Sequence, residues 1–204
     1  MLNLLTKKTS LTEYLLLPYD GSRTELVNGE IIEMSEASPL HADIVDFLLI
    51  LLKVHIGEQG LSYSVRAGNI GIEIPQIDIE NNVRDPDLMV CDRAQWRGMR
   101  RLTKAVFGSG NPPRLAVEVA SPSNKRTDTE DKRKEYALAL VPEYWIINPV
   151  DGYVLVLELA GNDYQEIGRY EGNELISSKL FPSLKVTAAA LLDPDEDELE
   201  QRAI

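Results

Sequence analysis

The sequence predicts an α/β fold in which a central mixed β-sheet is flanked by helices. Two observations predict this class. Strand-like apolar runs and helical stretches follow one another in mixed order, and Asn28-Gly29, a strong hairpin signal, joins two short strands. Since no internal repeat or linker interrupts the chain, we expect a single domain over residues 1–192 and an acidic tail over 193–204.

The N-terminal half is predicted to contain two helices, five strands and two irregular segments. They are, in order, a helix at 11–17 ended by Pro18, a hairpin at 24–34, a helix from Ser38-Pro39 to about Gly57, strands at 61–67 and 69–74, a polar loop at 76–83, a strand at 87–91, and a basic, mobile surface flap at 93–110.

The C-terminal half is predicted to contain five strands and two helices. They are a buried strand at 115–120, a turn at 121–124, a helix at about 129–140 capped by Thr127 or Asp128, strands at 144–148, 153–159, 164–170 and 174–177, and a short helix at 186–192.

Composition limits the function classes. The net charge of −12 argues against a broad nucleic-acid-binding surface, although two basic clusters oppose it. The single cysteine excludes an internal disulfide, and no apolar run approaches the roughly 20 residues that span a bilayer. We therefore expect a soluble cytoplasmic protein without a membrane partner. The basic clusters are Arg93, Arg97, Arg100, Arg101 and Lys104, and Lys125, Arg126, Lys132, Arg133 and Lys134.

Two acids stand out against apolar surroundings. Asp87 follows an Arg84-Asp85-Pro86 turn and opens an apolar strand, and Glu118 lies inside the apolar run 115–120. Burying such charges is costly unless a partner compensates for them, and Mg²⁺ bound by both carboxylates is one such partner. The alternatives are a turn or cap acid for Asp87 and a buried ion pair for Glu118 with Lys132 or an arginine.

A cation is expected near Glu118. Alternation along the strand places Ala120 on the same face as Glu118, so this strand offers no lysine there. Asp128, Lys132 and Tyr136 recur at i, i+4 and i+8 on the following helix, and a helix that folds back over its strand would bring Lys132 to Glu118. The alternative is a solvated helix face on which Lys132 pairs with Asp128.

These segments together resemble a known family. The series runs Glu25-Leu-Val-Asn-Gly-Glu30-Ile-Ile-Glu-Met34, Ser38-Pro-x-His41, Arg84-Asp-Pro-Asp87, Val117-Glu-Val-Ala-Ser-Pro-Ser123, Asp128-x3-Lys132-x3-Tyr136 and Val141-Pro-Glu-Tyr-Trp-Ile-Ile-Asn-Pro149. Over about residues 10 to 190 it resembles the Uma-type restriction endonuclease family of the PD-(D/E)XK nuclease superfamily.

The resemblance implies a restriction-endonuclease-like fold and a metal-dependent DNA endonuclease. It implies Asp87 and Glu118 as ligands of Mg²⁺ or Mn²⁺, to which we add the Val119 carbonyl. The superfamily pattern has a lysine at the position of Ala120, and the resemblance implies that Lys132 replaces it from the following helix. Glu30 resembles an acid that the family keeps before its long helix and is expected near the metal.

His41 is expected to bind phosphate or position water, and the alternative is a capping or structural role near the start of its helix. The alternative function is a catalytically inactive nuclease-fold module that binds a partner or assembles, which the acidity and Ala120 favour.

A homodimer paired through an exposed edge of the C-terminal strands is also expected.

Overall fold

A computed structural model describes residues 8–18, 20–76, 81–121 and 130–195. The elements follow in the order α1 (Leu11–Leu15), β1 (Thr24–Val27), β2 (Glu30–Glu33), α2 (Pro39–Glu58), β3 (Tyr63–Ala67), β4 (Ile70–Ile74), β5 (Asn82–Arg84), β6 (Leu88–Asp92), α3 (Arg93–Met99), β7 (Ala105–Phe107), β8 (Leu115–Val119), α4 (Lys132–Leu138), β9 (Glu143–Asn148), β10 (Tyr153–Ala160), β11 (Asp163–Tyr170) and α5 (Ala188–Leu192).

The larger sheet has six strands in the order β11-β10-β9-β8-β6-β3. All neighbouring strands are antiparallel except β8 and β9, which are parallel. A parallel pair needs a crossover connection, and α4 lies in the chain between these two strands. The predicted α/β class with a mixed sheet is therefore confirmed.

A second sheet has five strands in the order β2-β1-β5-β4-β7 and adds to the single sheet expected from sequence. The β1–β2 hairpin turns at Asn28 and Gly29, whose φ angles are 53° and 79°. A two-residue hairpin turn of this type requires positive φ at both positions, which explains why this dipeptide predicted the hairpin correctly.

The large sheet is covered on both faces. Leu115, Val117 and Val119 of β8 join a core formed with α2 and α5. Ala116 and Ala120 join a second core, which contains residues of α4 and the smaller sheet. Glu118 shares the face of Ala116 and Ala120, because side chains alternate along a strand.

Three predicted segments differ from the structure. Part of the predicted polar loop at 76–83 is β5, in which Val83 packs against Leu26 of β1. The predicted flap at 93–110 contains α3 and β7, because Trp96 and Phe107 are anchored in the second core. The predicted strand at 174–177 makes only an isolated bridge, between Leu175 and Thr187.

Other boundaries shift by a few residues. The helix predicted at 129–140 is observed over Lys132–Leu138, and the one predicted at 186–192 over Ala188–Leu192. The proposed cap at Thr127 or Asp128, the turn residues 122–124 and the tail from residue 196 lie outside the described residues.

Candidate active site

A cavity of about 490 Å³ opens where β8 and β9 end and β6 begins. Five residues singled out from the sequence line it, namely Asp87, Glu118, Val119, Lys132 and His41. They come from a turn, a strand and two helices, so only the fold brings them together. The apolar share of the lining includes Met34, Leu40 and Val150.

Asp87 is fixed by the segment that crosses from the small sheet to the large one. Its Oδ1 accepts from Arg23 Nη1 at 3.1 Å and lies 3.2 Å from His41 Nε2, while its Oδ2 accepts from the Val119 N–H at 2.9 Å. Burial alone would raise the pKa of Asp87. The hydrogen bond from His41 and the charges of His41, Arg23 and Lys132 outweigh it and lower the pKa to about 2.

Asp85, two residues earlier, has a structural role. Its carboxylate accepts from the backbone N–H groups of Asn69 and Ile70, both at 3.1 Å, and from Arg23 Nε at 3.1 Å. Arg23 therefore bridges the two aspartates of the turn. This bridge holds Asp87 in place at the cavity while Asp85 faces the small sheet.

Glu118 is 1% exposed and is held by α4. Its Oε1 accepts from the Tyr136 hydroxyl at 2.6 Å, and its Oε2 lies 2.9 Å from Lys132 Nζ. Burial and the nearby Glu118 charge raise the pKa of Tyr136 well above its ordinary value, so the phenol remains a hydrogen-bond donor. The structure thus places Lys132 beside Glu118 from the helix, where the spacing argument expected it.

Lys132 lies between two buried acids. Its Nζ is 3.5 Å from Glu25 Oε1 as well as 2.9 Å from Glu118. Glu25 also accepts from Arg84 Nη1 at 2.6 Å, and Arg84 Nε donates to Glu135 at 2.6 Å. Burial opposes ionisation of Glu25, but the charges of Lys132 and Arg84 prevail and lower its pKa. The result is a buried chain of alternating charges that ends at the cavity.

His41 takes part in the site, and Glu30 does not. His41 sits in the first turn of α2, whose N-cap Ser38 accepts from the His41 N–H, and its imidazole reaches Asp87. Glu30 is exposed, pairs with Val27 at the tip of the hairpin and does not line the cavity. The expectation that Glu30 lies near the acid pair is therefore wrong, because the hairpin directs its tip elsewhere.

Sequence reasoning missed Arg23 and Glu25. Glu25 had a detectable signal, since it is an acid beside apolar Leu26 and Val27 in a strand, the same pattern that identified Glu118. Arg23 had no such signal, because nothing in its local sequence indicates a contact with Asp85 or Asp87, which lie 62 and 64 positions further along the chain.

The basic clusters divide between several roles. Lys132 is buried at the site, Arg133 donates to the Tyr164 carbonyl at 2.6 Å, and Lys134 is exposed. Lys104 lies 3.7 Å from the centre of the Tyr14 ring. Residues 125 and 126 lie outside the described part of the chain.

A divalent cation fits the donor set of the cavity. Mg²⁺ is usually held by one or two carboxylates together with waters, and Asp87 and Glu118 supply two carboxylates. The volume of about 490 Å³ has room for waters as well. Among the described residues, no three or more His, Cys, Asp or Glu side chains are grouped to hold a metal, so solvent and backbone would complete the shell.

The fold is of the restriction-endonuclease-like class, and Asp87 and Glu118 both line its cavity. Residues 11–189 match the Uma2 family, described as "Putative restriction endonuclease", and the chain belongs to this family. The resemblance drawn from the sequence motifs is thereby confirmed. Membership supports nuclease function in general.

A solved structure has the same fold. It is described as "a putative nuclease belonging to DUF820" from Anabaena variabilis, and it matches with a TM-score of 0.69 over 90% of this chain and 97% of that chain. Sequence identity is 18%, so this similarity establishes the fold alone. No curated protein matches the chain.

None of the helices within the described residues has the length and apolar character to cross a bilayer.

Proposed function

We propose that this protein is a metal-dependent endonuclease that hydrolyses phosphodiester bonds in DNA. The observation that carries the proposal is the meeting of Asp87, Glu118 and Lys132 at one cavity, with the ammonium 2.9 Å from the Glu118 carboxylate. Membership of the Uma2 family supports the same reaction class.

Asp87 and Glu118 would hold Mg²⁺ or Mn²⁺, with the Val119 carbonyl and waters as further oxygen ligands. When bound, such a cation lowers the pKa of a water molecule and offsets the negative charge that develops on phosphate during in-line attack. Lys132, as an ammonium group, would orient the attacking water or pair with a phosphate oxygen.

The neighbouring residues keep these groups in position. Tyr136 and Lys132 each contact one oxygen of Glu118, which fixes the rotation of the carboxylate. Arg23 and His41 lie on the Asp87 side of the cavity, where they are available to a phosphate that enters it.

The test is cleavage of supercoiled plasmid in Mg²⁺ or Mn²⁺. Wild type is expected to nick or linearise the plasmid, and Asp87→Ala and Glu118→Ala are expected to lose more than about 100-fold in rate, since even outer-shell partners of a metal site contribute about 10- to 100-fold. Glu58→Ala, which removes an exposed acid at the C-terminal end of α2, is the matched control and should cut like wild type. Equal cutting by wild type and both site variants would refute the proposal.

A catalytically inactive module is the second candidate. It is favoured by the internal pairing of the site, because Asp87 already contacts Arg23 and His41 while Lys132 contacts Glu25 and Glu118. Calorimetric titration with Mn²⁺ separates the two. Saturable binding that Glu118→Ala abolishes would contradict the inactive module, and absence of binding would support it.

The assembly state of the active protein is proposed to be a homodimer. β11 lies at the edge of the six-stranded sheet and has exposed side chains along much of its length, so a second copy can pair there. Light scattering that gives the monomer mass at working concentration would refute the dimer.

A further inference from the structure

Four arginines form a cationic surface at the edge of the large sheet, which we name the arginine surface: Arg66, Arg97, Arg100 and Arg101. The chain has 33 acidic residues, yet no Asp or Glu occurs from residue 93 to residue 117. Arg97, Arg100 and Arg101 are exposed and, with Gly98, line an open hollow of about 530 Å³. None of these three forms an ion pair with another described residue.

The spacing of these arginines concentrates charge. Positions 97, 100 and 101 are three and four residues apart, so their side chains share one side of the helix end. Like charges at this spacing repel each other by a few tenths of a kcal/mol per pair. The C-terminal end of a helix favours nearby cations, and this accounts for part of the charge beside α3. Three arginines are more than the end of a seven-residue helix needs for this purpose.

Arg66 adds a second, independent observation. Its guanidinium stacks on Trp96 of α3 at 4.3 Å from the ring centre, and one of its Nη atoms donates to the Val65 carbonyl at 2.9 Å. Its Nε is buried without a hydrogen-bond partner in the described structure. Burial lowers the pKa of Arg66, and the charge of Arg100 lowers it further. Arg66 is thus rigidly placed close to a like charge, and an anion bound between the two would relieve the repulsion.

The arginine surface lies near the candidate active site. Arg66 pairs with Met89, which is two residues after Asp87, a distance of roughly 7 Å along a strand. The chain from Arg100 to Lys104 spans at most about 14 Å. Lys104 Nζ lies 3.4 Å from the Thr24 hydroxyl, next to Arg23 of the cavity. At about 3.4 Å per nucleotide of one strand, the stretch from Arg100 to Lys104 covers at most about four phosphates.

We propose that the arginine surface binds the sugar–phosphate backbone of the DNA duplex whose strand enters the cavity at Asp87 and Glu118. Exposed guanidinium groups pair with phosphate through parallel hydrogen bonds and do so without reading bases. The surface therefore contributes affinity and register, and no sequence preference. This inference rests on the proposed function, since it identifies where the substrate of that site is held.

The test measures binding apart from cleavage. Fluorescein-labelled duplex DNA of about 20 base pairs is titrated in EDTA, so that no metal-dependent cutting occurs, and anisotropy is followed at several salt concentrations. Arg97→Gln/Arg100→Gln/Arg101→Gln should bind at least about 10-fold more weakly. The slope of log affinity against log salt concentration should be smaller in magnitude by about 2 to 3 for this variant, because each neutralised phosphate contributes about 0.9 to that slope.

The matched control removes three charges elsewhere. Lys53→Gln/Lys179→Gln/Lys185→Gln changes the net charge equally, and all three lysines are exposed. Lys53 belongs to α2, which packs on the opposite face of the large sheet from Trp96. This control should bind DNA within about twofold of wild type, since only local charges act strongly across about 10 Å of screening solvent.

Three results would overturn the inference. They are equal affinity and salt dependence of wild type and the triple arginine variant, absence of wild-type binding in EDTA, and competition by polyglutamate as strong as that by unlabelled duplex. None of them bears on plasmid cutting by wild type against Asp87→Ala, so the proposed function stands or fails separately.

Discussion

The Tyr136 hydroxyl donates a hydrogen bond of 2.6 Å to Oε1 of Glu118, and Lys132, four residues earlier on the same helix, lies 2.9 Å from Oε2. One turn of α4 therefore supplies a neutral donor and a cation to the two oxygens of a single carboxylate. Because both donors come from one rigid element, the position of α4 over β8 determines the orientation of Glu118.

Tyr136→Phe is expected to reduce the free energy of unfolding by about 1.5 to 3 kcal/mol, because it removes a buried hydrogen bond to a charged group. Urea unfolding measures the change. Tyr164→Phe is the matched control, since its hydroxyl donates 2.8 Å to the neutral Val141 carbonyl and should cost only about 0.5 to 1.5 kcal/mol. A larger loss in Tyr164→Phe than in Tyr136→Phe would contradict the role given to the Glu118 bond.

Lys132→Met is expected to cost about 3 to 5 kcal/mol of unfolding free energy. It leaves the Glu25 and Glu118 carboxylates buried without the cation that they share. Lys134→Met, two residues along the same helix but exposed, should change the unfolding free energy by no more than about 0.5 kcal/mol. Similar urea midpoints for the two variants would show that the buried charge pairing contributes little.

Two variants distinguish the acid that belongs to the buried charge network, Glu25, from the acid that the sequence suggested, Glu30. They are Glu25→Gln and Glu30→Gln. Glu25→Gln should cost about 1.5 to 3 kcal/mol, because it weakens the hydrogen bonds to Arg84 and to the Asp85 N–H. It should also slow plasmid cutting, since Glu25 helps to hold Lys132. Glu30→Gln should leave both measurements unchanged, and a loss of cutting in Glu30→Gln alone would restore the original expectation.

Stability is expected to depend on pH through Asp87. Its pKa of about 2 lies below the ordinary value of 3.8, so its ionised form stabilises the folded state above pH 3.8, and this contribution disappears as the pH falls through about 2. The shift corresponds to about 2 kcal/mol.

The measurement is urea unfolding of wild type and Asp87→Asn between about pH 6 and pH 2. The stability difference between them should be constant in the upper part of this range and should shrink by about 2 kcal/mol toward the lower end. A difference that does not vary with pH would show that Asp87 is not held in its ionised form by its neighbours.

Local signals predicted much of the fold. Asn28-Gly29 gave the hairpin, and the apolar period of residues 39–58 gave the long helix. The small sheet could not be derived, because β5 and β7 are only three residues long and are stabilised by strands distant in sequence. Short strands of this kind carry too few residues to show a period.

The candidate site was predictable only in part. An acid within an apolar strand indicated Glu118, but Glu143 in β9 shows the same pattern and has another purpose. Its carboxylate accepts from the Ser178 hydroxyl, the Trp145 indole and the N–H groups of Lys179 and Leu180, which explains its burial without any ligand. The local pattern does not distinguish the two acids, because most partners of Glu143 come from residues 178–180, about 35 positions along the chain.

The separation of Lys132 from Glu118 along the chain affects how such proteins are recognised. A search for an acid followed two positions later by lysine would pass over this chain, since Ala120 occupies that place. Relatives of this kind are better found by comparing which ammonium group contacts the carboxylate in the folded structure than by matching a fixed spacing in the sequence.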